Sequence, residues 1–354
     1  MVPSSVVTYP RVIESYEDPP AGLSSPYASQ HIGVSLPLVP FSKTPSERDW
    51  SLYRSWVEEQ KQRNIIAKKQ RKKLKGLDDL ILGTVEGEIL TESSLFSLSP
   101  GTWLTDAVIQ ASIKSILKLH PLEPSVSFLP HFFFTKLMNE GHANRDIEGS
   151  YDYNNVQNWV KRRIEGKKVS DMSTLVMFQN QTRNHWTCYG VFLEKKIIQQ
   201  FDSMGGGDVR ALTNIYHWLH DSMQSEGQEL ISTEWCLYKA RDNPLQGNGF
   251  DCGLFAIMLS LCIANDLPLN FVDQSIMERG RCQLWLHLMS LMKKKGEVLD
   301  LMTPPPSLTS PGPVLDLRSP TPVSRRLTYE ATEDGGDEGA GNDATSRSGG
   351  EGQP

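Results

Sequence analysis

The run Leu254 to Ala264 offers a helix no polar face, and it constrains the fold more than any other stretch of the chain. Such a helix must be surrounded, so it is expected at the centre of a domain with other layers packed on it. It is too short to span a bilayer. The segment before it, Gln246-Gly247-Asn248-Gly249-Phe250-Asp251-Cys252-Gly253, ends a glycine-rich turn with a cysteine at the helix mouth. The first N–H groups of a helix lack intrahelical partners, and its dipole is positive at that end. Both favour thiolate. Cys252 therefore reads as a nucleophile, whereas Cys262, in the middle of the run, reads as an inert core thiol. Cys188 and Cys236 lie in strand-like segments and read as core; Cys282 stays unassigned.

A thiol nucleophile needs a base, and a hairpin pattern supplies one. His185-Trp186 opens the β-rich run Thr187 to Leu193; Glu194-Lys195-Lys196 breaks it; Ile197 to Phe201 follows and ends in Asp202-Ser203. Two such runs around a short polar connection predict a β-hairpin. A turn near Glu194 brings His185 and Asp202 within about one or two positions of direct pairing, close enough for side-chain contact. An Asp orienting a His that faces a Cys is the arrangement of nucleophilic catalysis. His217, His220 and His287 read as ordinary surface or satisfied histidines. Gly205-Gly206-Gly207 is read as a tight turn, because no phosphate-loop pattern accompanies it. Asp208 reads as a helix N-cap.

The order His185, Asp202, Gln246, Cys252, set in His-Trp, Phe-Asp-Ser-Met-Gly-Gly and Asn-Gly-Phe-Asp-Cys-Gly, resembles the SUMO-specific (ubiquitin-like-protein-specific) cysteine protease family. Gly101-Thr102-Trp103-Leu104-Thr105-Asp106 is similar to that family's Trp-Leu-Asn-Asp motif, with Thr105 where Asn or Asp is usual. His131 to Leu137 is similar to its aromatic helix. The resemblance covers roughly Gly87 to Asp300. It implies an α+β domain of the papain-like or adenain-like kind that removes a modifier such as SUMO from lysines and trims precursors after Gly-Gly. It also implies that Gln246 donates to the oxyanion together with the Cys252 N–H. Trp103 and Trp186 would line a narrow tunnel that passes only glycine. Asp106 either orients the substrate backbone or a basic residue, or caps the following helix. The implied partners are SUMO or another ubiquitin-like protein and its conjugates, with no metal or organic cofactor.

Independently of the resemblance, strands clustered mid-chain with helices on both flanks predict an α+β domain with a mixed central sheet. Helices are expected from Asp106, over Phe128 to Met138, over Tyr151 to Ile164, from Asp208 to about Met223, and over Ser275 to Lys293; further strands are expected at Leu175–Phe178 and Trp235–Tyr238. Hydrophobic residues make up only 38% of the 354, so part of the chain is expected to stay unpacked. Residues 1–45, rich in Pro, Ser and Tyr, and 301–354, rich in Pro, Gly, Ser and acidic residues, read as disordered tails. Residues 46–82 read as a basic amphipathic helix capped by Ser46, with Trp50, Tyr53, Trp56 and Val57 at helical spacing. The protease domain is placed at 83–300, and a fragment of about 84–300 is expected to fold alone.

Five cysteines without a C-x-x-C pair argue against a disulfide framework or a structural zinc site, and fit a reducing compartment, nuclear or cytoplasmic. The chain shows no signal-peptide pattern at its start. A net charge of −6 implies no dedicated nucleic-acid surface, and a monomer without membrane attachment is expected. The run Lys68 to Lys75 is a solvated helix face, a nuclear-import signal or a nucleic-acid contact. Rival functions are a protease for ubiquitin or the neddylation modifier, a processing protease from a virus or mobile element, and an acyltransferase on a related fold.

Overall fold

A computed structural model describes residues 10–13, 36–71, 80–139, 149–157, 167–181, 184–239 and 243–292. Within them a six-stranded mixed sheet is built from β1 (Arg11–Ile13), β4 (Val126–Phe128), β5 (Thr174–Gln181), β6 (His185–Phe192), β7 (Ile197–Phe201) and β8 (Cys236–Lys239). A separate hairpin pairs β2 (Ile81–Val85) with β3 (Glu88–Thr91). The helices are α1 (Glu47–Arg71), α2 (Glu92–Phe96), α3 (Asp106–Leu119), α4 (Phe132–Leu137), α5 (Val209–Ser225), α6 (Cys252–Ala264) and α7 (Met277–Leu291). The sheet order is β1-β8-β7-β6-β5-β4. β6 runs antiparallel to β5 and β7, and the remaining pairs are parallel. This is the expected α+β architecture, a mixed sheet flanked by helices.

Alternation along the strands sorts side chains into two layers. Val176, Phe178, Cys188, Phe192 and Phe201 join one core with α6 and residues of α1, α3 and α7. Leu175, Met177, Tyr189, Val191 and Ile198 join another with residues of α4 and α5. Every residue of α6 is buried, as an all-apolar helix demands. Its seven large apolar side chains contribute on the order of 10–20 kcal/mol of gross burial. Gly190, unusual in mid-strand, is explained by this packing: a Cβ there would stand 2.7 Å from the Phe192 ring. Its neighbour Tyr189 is buried against Phe134 and donates its hydroxyl to Gln179 Oε1 at 2.5 Å.

The N-terminal end of the domain differs from expectation. Residues 1–45 are not uniformly unstructured: β1 pairs with β8 at the sheet edge, and Leu36 and Phe41 are buried in the core. Apolar residues scattered without a period can still be used one at a time by neighbouring elements. Helix α1 is also part of the packing. Ser46 caps it reciprocally with Asp49, as expected. Its Tyr53 and Trp56 then lie against Trp285 of α7 at ring distances of 5.8 and 5.3 Å. Tyr53 donates its hydroxyl to the Leu98 carbonyl at 2.7 Å. The side chains of Lys68 to Lys75, and all of 301–354, lie outside the described residues.

Three local expectations are corrected. Phe128 ends β4, and the aromatic helix starts only at Phe132, because Pro130 interrupts the backbone between them. The start of the helix expected over Tyr151 to Ile164 is instead a 3-10 turn, Tyr153–Asn155, capped by Asp152; Gln157 is helical, and the rest of that span, within residues 158–166, lies outside the described residues. The N-cap of α3 is Thr105, and Asp106 is the first helical residue. No helix among the described residues is long and apolar enough to cross a membrane.

Candidate active site

The hairpin sets the first half of the site. Cys188 pairs with Phe201 in the β6–β7 register, so continuing it puts Asp202 opposite Thr187, with His185 two positions further along on the same face. His185 Nε2 and Asp202 Oδ1 are 2.7 Å apart, and Asp202 is almost fully buried. The same Oδ1 accepts the Met204 N–H at 2.8 Å, which fixes the carboxylate from a second side. Gly206 lets the turn fold back onto Asp202, a use of the glycine run that its reading as a plain turn did not anticipate.

Helix α6 sets the second half. Cys252 is its first residue and is 2% exposed. With Nε2 committed to Asp202, Nδ1 is the imidazole nitrogen available to the Cys252 sulfur, and it is buried with no nitrogen or oxygen partner. Burial alone would lower the His185 pKa. The hydrogen bond to Asp202 and the proximity of Cys252, reinforced by the charge of both, outweigh it and raise the pKa to about 9. The ring therefore holds a proton at neutral pH. Cys188 and Cys262 contrast with this: burial pushes both thiols far up, leaving them unreactive.

Gln246 lies at the start of the cysteine loop, tied to the turn after β7. Its backbone N–H donates to the Ser203 carbonyl at 2.7 Å, and its Oε1 accepts from Ser203 Oγ at 2.7 Å. Its amide N–H group donates to the Asn248 carbonyl. The acceptor end being fixed by Ser203, the donor end faces the cysteine loop.

The two tryptophans are joined through one short segment. Trp103 is 56% exposed, and its indole N–H donates across to the Gly249 carbonyl at 2.5 Å. Trp186 is buried, with its indole N–H on the Leu104 carbonyl at 3.1 Å. Leu104 also packs on the cysteine helix: a Cβ on Gly253 would stand 2.9 Å from Leu104 Cβ. Asp106 has Oδ2 3.7 Å from His131 Nε2 and Oδ1 on the Ala107 N–H. The His131 contact is the main reason that its carboxyl pKa is lowered. Thr105, at the N-cap, leaves its hydroxyl buried without a partner.

Two residues of the site's support were not anticipated. Asp251, next to Cys252, accepts from Arg281 Nε, Asn248 Nδ2 and Gln274 Nε2 at 2.8, 2.7 and 3.0 Å. Arg281, on α7, is 1% exposed. The available signal was an arginine amid the apolar stripe of the last helix, a position that needs a buried acceptor.

A family model described as the Ulp1 protease family, C-terminal catalytic domain, matches residues 102–294. The chain is 26% identical over 192 residues to ubiquitin-like-specific protease 1A of Arabidopsis thaliana, covering 53% of this chain and 37% of that protein. It is 27% identical over 215 residues to sentrin-specific protease 2 of Rattus norvegicus, covering 59% and 34%. It thus spans well under two thirds of the length of these relatives. In three dimensions it is similar to the C-terminal Ulp1 protease domain solved in complex with Smt3, the yeast ortholog of SUMO. The TM-score is 0.52 at 22% identity, over 70% of this chain and 96% of that one. The Ulp1-like SUMO protease catalytic domain of Chaetomium thermophilum gives a TM-score of 0.50 at 20% identity, over 74% and 96%. The structural likenesses bear on the fold. The family match takes in more than half of the chain, from Trp103 through Cys252 to Arg281, and on that ground the chain belongs to the Ulp1 protease family through its C-terminal catalytic domain.

Proposed function

We propose that the protein is a cysteine isopeptidase that cleaves after the C-terminal Gly-Gly of a ubiquitin-like modifier, SUMO first among them, and frees it from target lysines. The observation that carries this reading is His185, held by Asp202 at 2.7 Å and coupled to Cys252 at the mouth of α6. The names of its relatives favour a ubiquitin-like substrate. The intracellular setting expected for such an enzyme is nuclear or cytoplasmic.

The chemistry follows from the groups present. His185 Nδ1 takes the Cys252 proton, and the thiolate attacks the terminal Gly carbonyl. The Cys252 backbone N–H and the Gln246 amide donate to the oxyanion. The C–N bond breaks as His185 returns its proton to the lysine Nζ, leaving a thioester on Cys252. His185 then deprotonates a water, which adds to the thioester and releases the modifier's carboxylate and the thiol. Trp103 and Trp186 line the path of the tail, and Asp106 orients backbone or a basic side chain at its entrance.

A panel of modifiers carrying a thiol-reactive group at the C-terminus tests this. The SUMO probe should form an adduct on Cys252, and Cys252→Ala should form none. An adduct only with the ubiquitin or neddylation-modifier probe would reassign the substrate. No adduct with any probe, alongside protein acetylation from acetyl-CoA, would overturn the protease reading.

A further inference from the structure

The guanidinium of Arg281 joins the segment that leads to Trp103 to the residues just before Cys252. Its Nε donates to Asp251 Oδ1 at 2.8 Å. Its Nη1 donates to the carbonyls of Ser97 and Ser99 at 2.9 and 3.1 Å, and its Nη2 to those of Thr102 and Phe250 at 2.8 and 3.1 Å. All five of its N–H groups therefore have acceptors, in a fork that only arginine offers. Three acceptors lie on the segment that leads to Trp103. The other two lie on the residues just before Cys252.

Each segment is braced again from its far side. The Tyr53 hydroxyl holds the Leu98 carbonyl, between two of the carbonyls bound by Arg281. On the cysteine loop, Gln274 accepts the Gly247 N–H and donates to Asp251, while Asn248 Oδ1 accepts the N–H groups of Phe250 and Asp251. The direct contact between the segments at the surface is the Trp103 indole on the Gly249 carbonyl. A buried ion pair is weak evidence for stability, because desolvation offsets most of its attraction. This one is spread over two loops, and its geometry fixes their separation.

We infer that Arg281 is a positioning residue: it sets the distance between Trp103 and Cys252, and through it the width of the channel that discriminates glycine from larger residues. It touches no substrate. The inference rests on the proposed function where it concerns the tail, and on the fold alone where it concerns the loops. Lysine, a point charge with three donors, can pair with Asp251 but cannot hold all five acceptors across the two segments.

The test uses the full chain with Arg281→Lys, read by hydrogen exchange and by kinetics. Amides of 97–103 and of 246–252 should exchange about tenfold faster or more, with β5 and β6 unchanged. On a Gly-Gly modifier substrate kcat/KM should fall about tenfold or more, and the preference for Gly-Gly over Ala-Gly should narrow. Alkylation of Cys252 by a small reagent, which needs only the thiol and His185, should change little. Unchanged exchange in the two loops, or an equal rise through the sheet, would overturn the inference. If Arg281→Lys does not fold, wild-type exchange across a denaturant series decides: the two loops should open as one unit, and separate openings would sink the idea. If the wild type cleaves no Gly-Gly substrate, the proposed function fails and the exchange results judge Arg281 by themselves.

Discussion

Gly206 stands so close to Asp202 that a Cβ on it would lie 2.7 Å from the carboxylate Oδ2. The turn after β7 thus closes directly over the carboxylate that orients His185. Gly206→Ala should push Asp202 off the imidazole without touching Cys252. We expect a fall in kcat of about tenfold or more with KM little changed, because 1 Å of misplacement in a catalytic group costs this much or more. A Gly206→Ala enzyme with wild-type kcat would show that the turn has slack to give.

The raised His185 pKa, about 9, makes a statement about pH. Its folded value lies above the ordinary 6.5, so the interaction is fully present below about pH 6.5 and is lost as pH rises through about 9. The alkaline limb of kcat/KM should therefore fall near pH 9. Asp202→Asn removes the group that raises the value, so the limb should move to lower pH, with activity reduced but less severely than in Cys252→Ala. A limb that stays in place in Asp202→Asn would assign it to another group.

How much of this was legible in the sequence depends on the range of each interaction. The His185–Asp202 pairing was readable because a short hairpin fixes its register, and alternation keeps both residues on one face. Cys252 was readable from an apolar helix with a flexible approach. Which imidazole nitrogen faces Asp202 was not, because only the closed strand end selects Nε2. The partners of Arg281 were illegible in a stronger sense: three of its five acceptors are carbonyls 179 to 184 positions away, and carbonyls leave no mark in a sequence. The same holds for α1, whose aromatic stripe shows a buried face but not what it is buried against.

His287 gives a second dependence, of opposite sign. It is buried on α7 with Nε2 2.8 Å from Ser115 Oγ; burial, with a smaller contribution from His120, lowers its pKa to about 4. The unfolded chain takes up this proton near pH 6.5, so stability should fall as pH drops from about 6.5 to 4, by roughly 2–4 kcal/mol. Urea melts of the wild type and His287→Gln across that window should show a steeper acid loss in the wild type. Parallel curves would remove His287 as the cause.

A fragment of 84–300 loses Leu36, Phe41, Tyr53 and Val57 from the core and uncovers Trp285. It also leaves Gln283 without the Phe41 and Lys43 carbonyls that it binds. Four buried apolar side chains at about 1.5–3 kcal/mol each sum to roughly the whole stability of a domain. We expect the fragment from residue 84 to be insoluble or to melt far below one that starts at residue 36, contrary to the span suggested by composition. Equal melting temperatures would show that α1 rests on the domain without supporting it.

The most specific prediction concerns the substrate's tail. Trp103 lies over the cysteine loop with its indole on Gly249, and the residue after it is anchored by Trp186. On the proposed function the tail passes between them, extended and without side chains. Replacing the penultimate glycine of the substrate with alanine would, on that reading, add a methyl group to a path that admits only backbone. Overpacking of about 1–3 kcal/mol predicts a loss of roughly tenfold to over a hundredfold in kcat/KM. Trp103→Ala should lower the overall rate, since the indole also orients the scissile bond, while narrowing the gap between the two substrates. The two effects separate the roles: a general fall with the gap preserved would leave Trp103 as a packing residue of the loop. Equal processing of Gly-Gly and Ala-Gly tails by the wild type would remove the channel altogether, and a thiol protease without tail selection would then be the better description.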